Sequence, residues 1–193
     1  MYLDISSALW VVWYVYWIVS ARNRIRDTND SIAKRESAIG RLGYTALVVV
    51  GFGLVIWHPL HPDLQKRLWP SSGEWVGVGL AIETAGLALA VWARQTLGKN
   101  WTGRITTGGS QELVVRGPYR FVRHPIYSGL LFAVLGTATV VGKPRAFLGF
   151  ALMLVGVLIK LRREEAALRQ HFGSLYEAYA ERVSALIPAP PKA

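Results

Sequence analysis

PIYSGLLFAVLGTATVVG, residues 125–142, is followed after Lys143-Pro144-Arg145 by AFLGFALMLVGVLI, residues 146–159. Neither run holds a charge, and only the turn Gly142-Lys143-Pro144-Arg145 separates them. A connection this short makes two helices antiparallel neighbours. A bilayer span takes roughly 20 predominantly apolar residues, so the pair reads as a helical hairpin in a membrane. The same pattern recurs three times upstream. Residues 5–21 are uncharged and rich in Trp and Tyr, residues 42–57 are uncharged, and residues 75–93 hold one ionisable group, Glu83. The expected fold is therefore all-α. It is a single membrane domain over residues 1–193, with transmembrane helices at 5–21, 42–57, 75–93, 125–142 and 146–160.

Composition excludes several other classes. With 52% hydrophobic and 18% charged residues and a mean hydropathy of +0.28, disorder is ruled out. A soluble bundle of five such helices would lack the polar surface to cover itself. The absence of cysteine removes disulfides, thiolate zinc sites, iron–sulfur clusters and cysteine nucleophiles. With only four His besides, no metal is expected. A cleavable signal peptide is not expected either: no Lys or Arg precedes the first apolar run, and the basic cluster follows it.

The net charge of +10 admits nucleic acid or anionic lipid as a partner until the charges are placed. Eighteen of the 22 Lys and Arg fall in the segments after the first, third and fifth runs. Lys66, Arg67, Lys143 and Arg145 lie on the other side. The positive-inside rule then puts the N-terminus outside and the C-terminus in the cytoplasm. Topology accounts for the charge, and no nucleic-acid partner is expected.

Smaller features agree. Trp57, Trp69 and Trp75 bracket an outer loop, 58–74, in which Pro59, Pro62 and Pro70 forbid a long helix. Trp92 and Trp101 fall near the inner face. Trp10, Trp13, Tyr14 and Trp17 recur at helical spacing and read as packing against lipid or a neighbouring helix. Gly51 and Gly53, and Gly77, Gly79 and Gly86, are expected to let helices approach closely. Gly51-Phe52-Gly53 is not a dinucleotide loop, since no strand precedes it and no helix starts after it.

Three polar pieces collect on the inner side. The connector 98–124 is long for a linker and mixes apolar with polar residues around Gln111-Glu112-Leu113-Val114-Val115, which favours an ordered loop. Arg120-Phe121-Val122-Arg123-His124-Pro125-Ile126-Tyr127 ends in a Pro suited to the first turn of a helix. Helix N-terminal amides attract anions, and Arg123 and His124 add donors beside them; equally, this is a basic flank with a helix-starting Pro. Lys160-Leu161-Arg162-Arg163-Glu164-Glu165 closes the fifth run. Its paired carboxylates suit a cation or a ribose diol, or form a solvated face with internal ion pairs. Beyond it Leu168, Phe172, Leu175, Tyr179 and Val183 repeat at three- and four-residue steps. That is an amphipathic cytoplasmic helix over 161–185, ended by Pro188, Pro190 and Pro191.

The hairpin joins the second and third pieces, because the start of its first helix lies beside the end of its second. The uncharged part of the second, residues 146–159, covers about 21 Å at ~1.5 Å per residue, short of a core of ~30 Å. Lys160 to Glu165 are thereby drawn toward the interface, where they need partners. A polar pocket at the inner interface follows, open to a water-soluble cofactor and a membrane-dissolved substrate together.

Taken in order, Gly117-Pro118-Tyr119, Arg123-His124-Pro125-Ile126-Tyr127-Ser128-Gly129, and Glu164-Glu165 with Phe172-Gly173, Tyr176 and Tyr179 resemble the isoprenylcysteine carboxyl methyltransferases. These group with the phospholipid methyltransferases, small integral-membrane enzymes that use S-adenosyl-L-methionine. The resemblance covers about residues 100–188. It implies a cofactor site of Gln111, Leu113, Val114, Tyr119, Arg123, His124, Pro125, Tyr127 and Glu164, with Glu165 as the neighbouring acid. It also implies an Arg near the acceptor carboxylate, four residues before the matched Glu. Here that position is Lys160, with Arg162 and Arg163 close by. Lys keeps the charge and loses the planar fork, so the acceptor stays open between an isoprenylcysteine-type carboxylate, a membrane lipid and a thiol.

The expected activity is thus S-adenosylmethionine-dependent methyl transfer to a lipophilic or amphiphilic acceptor at the cytoplasmic face. Lys160 or Arg163 would orient the acceptor, and no metal is needed. One alternative is an NADPH-dependent membrane sterol or steroid reductase, whose members carry a similar Arg-His-Pro-x-Tyr element. There an acidic residue usually trails the Gly, whereas Leu130 follows Gly129 here. Another is a non-catalytic lipid-binding protein in which the motif only caps a helix. Glu83, near the middle of its run, is expected to face the bundle interior. It would bond a neighbouring helix through Thr84 or Tyr44, or mark the route of the acceptor.

Overall fold

The computed structural model describes residues 2–21, 38–56, 61–70, 73–98 and 112–188. Their α-helices are α1 (Tyr2–Ala21), α2 (Ala38–Ile56), α3 (Gly73–Leu97), α4 (Pro125–Val141), α5 (Pro144–Phe172) and α6 (Ser174–Arg182). No β-strand occurs among the described residues; a lone bridge pairs Val122 with Ser184. Leu3–Ser20, α3 and α5 are long and apolar enough to cross a membrane. Arg41–Ile56 and α4 are shorter apolar helices.

The hairpin forms where the turn chemistry put it. Gly142 takes φ 62° after α4, the left-handed region that a Cβ disfavours, and Pro144 opens α5. Yet the tightest helix pairs are α3 with α4 and α2 with α5. Small residues explain this. A Cβ on Gly86 would stand 2.5 Å from the Gly129 carbonyl oxygen, and one on Gly51 would stand 2.5 Å from the Gly149 carbonyl oxygen. Backbones touch at these crossings, as small residues permit in membranes. Gly53 and Gly77, expected to act likewise, face open space. Each lies two residues from a packing glycine, about 200° around the helix.

On the side expected outside, the loop ties both pairs together. Leu68 N–H donates to the Gly142 carbonyl at 2.8 Å, and Trp69 stacks on Trp75 with centroids 5.0 Å apart. Arg145 is buried and donates from Nη1 to the Leu54 and Val55 carbonyls at 2.5 and 2.7 Å, which satisfies acceptors left open at the end of α2. Trp57 and Trp101 lie outside the described residues.

α1 leans on the others through its aromatic stripe. Trp10 meets Phe52 edge-on at 5.3 Å, Trp13 stacks on Trp17 at 4.9 Å, and Tyr14 is exposed. Beneath them Glu83 is 0% exposed. Its Oε2 accepts from Ser6 Oγ at 2.8 Å and lies 3.2 Å from Thr137 Oγ1, which in turn accepts from Trp10 Nε1 at 2.9 Å. Thr84 and Tyr44, the expected partners, are not the ones used. Glu83 occupies the face of α3 turned to α1 and α4, Thr84 is exposed, and Tyr44 packs beside α5.

The C-terminal part also departs from expectation. α5 does not stop near Lys160 but runs to Phe172, about 43 Å for its 29 residues. Gly173, at φ 54°, then breaks the helix, and α6 begins in a new register. The single amphipathic helix expected over 161–185 is therefore two pieces. The break leaves Leu175 68% exposed and buries Tyr176 to 1%, because the apolar stripe does not continue through a left-handed residue.

Candidate active site

The site grows from the entry into α4. Residues 112–115 carry no regular secondary structure, with Leu113 and Val114 half-buried; Gln111 lies outside the described residues. A 3₁₀ turn, Gly117–Arg120, follows. Gly117 has φ 59°, and its Cα faces Thr96 of α3 so closely that a Cβ would stand 2.9 Å from Thr96 Oγ1. The turn buries Pro118 and Tyr119, and the Tyr119 carbonyl accepts from the Tyr179 hydroxyl at 2.6 Å. Burial, and next the nearby Glu164 charge, push the Tyr119 hydroxyl well above its ordinary 10, so it stays a neutral donor.

Arg123, His124 and Glu165 come together as one buried cluster. Arg123 donates from Nε and Nη2 to Glu165 Oε1 at 2.8 and 2.5 Å, and from Nη1 to the Ala180 carbonyl at 3.0 Å and to the Val183 carbonyl. His124 Nε2 lies 3.3 Å from the same Glu165 oxygen. Burial alone would raise the Glu165 carboxyl. Hydrogen bonds from His124 and Arg123, and their charges, outweigh it and hold the group at about 2. The backbone completes the clamp: Arg123 and His124 N–H donate to the Ser184 and Ala185 carbonyls at 2.8 and 3.0 Å, and Ser128 Oγ donates to the Leu186 carbonyl at 2.6 Å. Of the two readings open for the paired acids, Glu165 therefore takes the internal ion pair.

Glu164 points elsewhere. Its Oε2 accepts from the Tyr127 hydroxyl at 2.6 Å. Lys160, one turn earlier on α5, sets its ammonium 5.3 Å from the Tyr127 ring centre, and the His124 ring stacks on that of Tyr127 with centroids 5.8 Å apart. Arg163 is exposed and lies over the ring of Tyr44 on α2 at 5.9 Å. Pro125 is buried at the first position of α4. His124 occupies the N-cap without a side-chain capping bond, and the first intrahelical bond runs from Ser128 N to the His124 carbonyl at 3.0 Å. The Ile126 and Tyr127 amides precede that bond and have no acceptor within the helix. No group of three or more metal-ligating side chains occurs among the described residues.

The site thus sets a carboxylate (Glu164), an ammonium (Lys160) and helix-terminal amides around Tyr127. Two contributors escaped the sequence reading. Tyr44 sits in an apolar run with no motif around it. The carbonyls of residues 180–186 have no side-chain signature at all; the run of small and polar residues after Tyr179 was the sole hint.

The model of the isoprenylcysteine carboxyl methyltransferase family matches residues 79–170. A probable protein-S-isoprenylcysteine O-methyltransferase of rice, Oryza sativa subsp. indica, is 36% identical over 67% of this chain and 66% of its own length. The protein-S-isoprenylcysteine O-methyltransferase of Xenopus laevis is 27% identical over 91% of this chain and 59% of its own. The solved structure of the eukaryotic intramembrane Ras methyltransferase of this kind superposes with a TM-score of 0.55 and 27% identity, covering 76% of this chain and 52% of that one. The chain spans less than two thirds of the length of each of these relatives. The match covers most of α3, the connector, α4 and most of α5, where the site lies. This integral membrane protein belongs to the isoprenylcysteine carboxyl methyltransferase family.

Proposed function

We propose that the protein is an S-adenosyl-L-methionine-dependent methyltransferase acting on the carboxylate of an isoprenylcysteine-type amphiphile. In this reading five helices span the bilayer, with the N-terminus outside and the C-terminus and active site at the cytoplasmic face. α5 crosses with residues 146–160 and extends beyond as a cytoplasmic helix. The observation that carries the reading is the meeting of Glu164, Tyr127 and Lys160 at the start of α4, inside the segment shared with the family.

The residues present suit the cofactor. Its α-carboxylate matches the open amides in the first turn of α4. Its ammonium or ribose diol matches Glu164, held in place by Tyr127. Leu113 and Val114, in irregular backbone, offer carbonyl and amide groups to a planar base. When bound, S-adenosylmethionine supplies a methyl group on a sulfonium. An ionised carboxylate acceptor needs no general base, so the protein's part is positioning and electrostatics. Lys160 orients the acceptor carboxylate. Tyr127 fixes the Glu164 carboxylate. The cluster of Arg123, His124 and Glu165 holds the start of α4 and the C-terminal segment together, without contact to the reacting atoms.

Detergent-solubilised protein should transfer radiolabelled methyl from S-adenosylmethionine to N-acetyl-S-farnesylcysteine. Glu164→Gln and Tyr127→Phe should each weaken S-adenosylhomocysteine binding in calorimetry at least severalfold. Undiminished binding in both would remove this site from the mechanism.

A further inference from the structure

Lys160 is flanked by two rings from two different helices. Its ammonium lies 5.3 Å from the centre of Tyr127 on α4 and 6.0 Å from that of Tyr44 on α2. Arg163 lies 5.9 Å from the same Tyr44 ring. Tyr44 is buried, and its place is set by backbone contact rather than by chance. At Gly156, one turn before Lys160 on α5, a Cβ would stand 2.9 Å from the Tyr44 carbonyl oxygen. Gly156, Lys160 and Arg163 are spaced i, i+4 and i+7, so they share one face of α5. The glycine brings α2 in, the tyrosine follows, and two cations settle on its ring. Among the described residues no carboxylate forms a salt bridge with Lys160. A half-buried ammonium held by aromatic faces keeps its charge available to an incoming anion.

We propose that Tyr44 is a positioning residue for acceptor recognition: its ring holds Lys160 against Tyr127, with Arg163 beside it, as a receptor for the single anionic group of an apolar-tailed acceptor. This rests on the reading of Lys160 as the acceptor-orienting group. The ring face is what matters. Tyr44→Phe keeps it, whereas Tyr44→Leu and Tyr44→Met remove it. The proposed cofactor contacts lie at residues 113–114, in the first turn of α4 and on Glu164, and none is on α2, so loss of the ring acts on the acceptor alone.

The test measures steady-state methyl transfer to N-acetyl-S-farnesylcysteine, with S-adenosylhomocysteine affinity by calorimetry on the same samples. Tyr44→Leu and Tyr44→Met should raise the acceptor KM about 3- to 30-fold, the range that a partly desolvated cation–π contact spans. Turnover at saturation and S-adenosylhomocysteine affinity should stay within about twofold, and Tyr44→Phe should return KM to near the wild-type value. An unchanged KM in both ring-less variants overturns the inference and leaves the methyltransferase reading standing. So does a Phe variant as impaired as Leu, which would assign the effect to the hydroxyl. Loss of S-adenosylhomocysteine binding in both Leu and Met variants would make Tyr44 a structural residue and overturn it too. A wild-type protein that binds S-adenosylhomocysteine but methylates no anionic prenyl thioether overturns both readings.

Discussion

Glu165→Gln isolates the clamp between the start of α4, the cytoplasmic end of α5 and the C-terminal segment. The substitution keeps shape and removes charge, leaving the Arg123 guanidinium, 10% exposed, without its counter-ion. In the native protein the carboxyl sits at about 2 instead of its ordinary 4.5. At about 1.4 kcal/mol per tenfold that is about 3 kcal/mol of preference for the ionised form. It agrees with the ~3–5 kcal/mol typical of breaking one partner from a buried pair. A loss of that size lowers the melting temperature of a chain of this length by about 6–12 °C. Thermal melts in mild detergent at pH 7 and one scan rate read it. A double-mutant cycle with Arg123→Met then assigns the loss to the pair. The double variant should be clearly more stable than Glu165→Gln alone, because the stranded cation is gone. The pH dependence follows from the direction of the shift. A carboxyl depressed in the folded state stabilises fully above about 4.5, and that stability is lost as pH falls toward about 2. Wild type should lose more melting temperature across that window than Glu165→Gln. A Gln variant that melts like wild type at pH 7, or single effects that simply add, would refute the clamp.

Two further outcomes follow from the packing. Gly86→Ala should cost about 1–3 kcal/mol of stability by forcing α3 from the Gly129 carbonyl, while Gly77→Ala, which faces open space, should be neutral or better; comparative melts decide it. Glu83→Leu strands the Ser6 hydroxyl in the bundle and removes one of the partners of Thr137, which keeps Trp10 and the Ala133 carbonyl, and should lower stability by about 1–3 kcal/mol, whereas Glu83→Gln should retain most of it. Both should leave S-adenosylhomocysteine affinity intact in calorimetry, and a Leu variant as stable as wild type would show the network to be idle.

The sequence by itself determined the apolar helical runs and the hairpin turn, but not where α5 ends. Uncharged runs bounded by Arg and Lys mark the helices, and Gly142 before Pro144 marks the hairpin, because hydropathy and turn chemistry are local properties of the chain. It also carried the motif residues of the site, since Arg123, His124, Tyr127, Glu164 and Glu165 form a recognisable order. Tertiary structure alone decided how the two acids divide their work. Glu164 and Glu165 are adjacent in sequence but about 100° apart around α5, so one meets Tyr127 and the other meets Arg123. It alone decided that Glu83 bonds Ser6, 77 residues away, and that Gly51 and Gly79 pack while Gly53 and Gly77 do not. Periodicity says which residues share a face and nothing about which helix that face meets. The same limit hid Tyr44 and the carbonyls of residues 180–186. A ring or a carbonyl becomes a contact only when another element, far along the chain, arrives beside it.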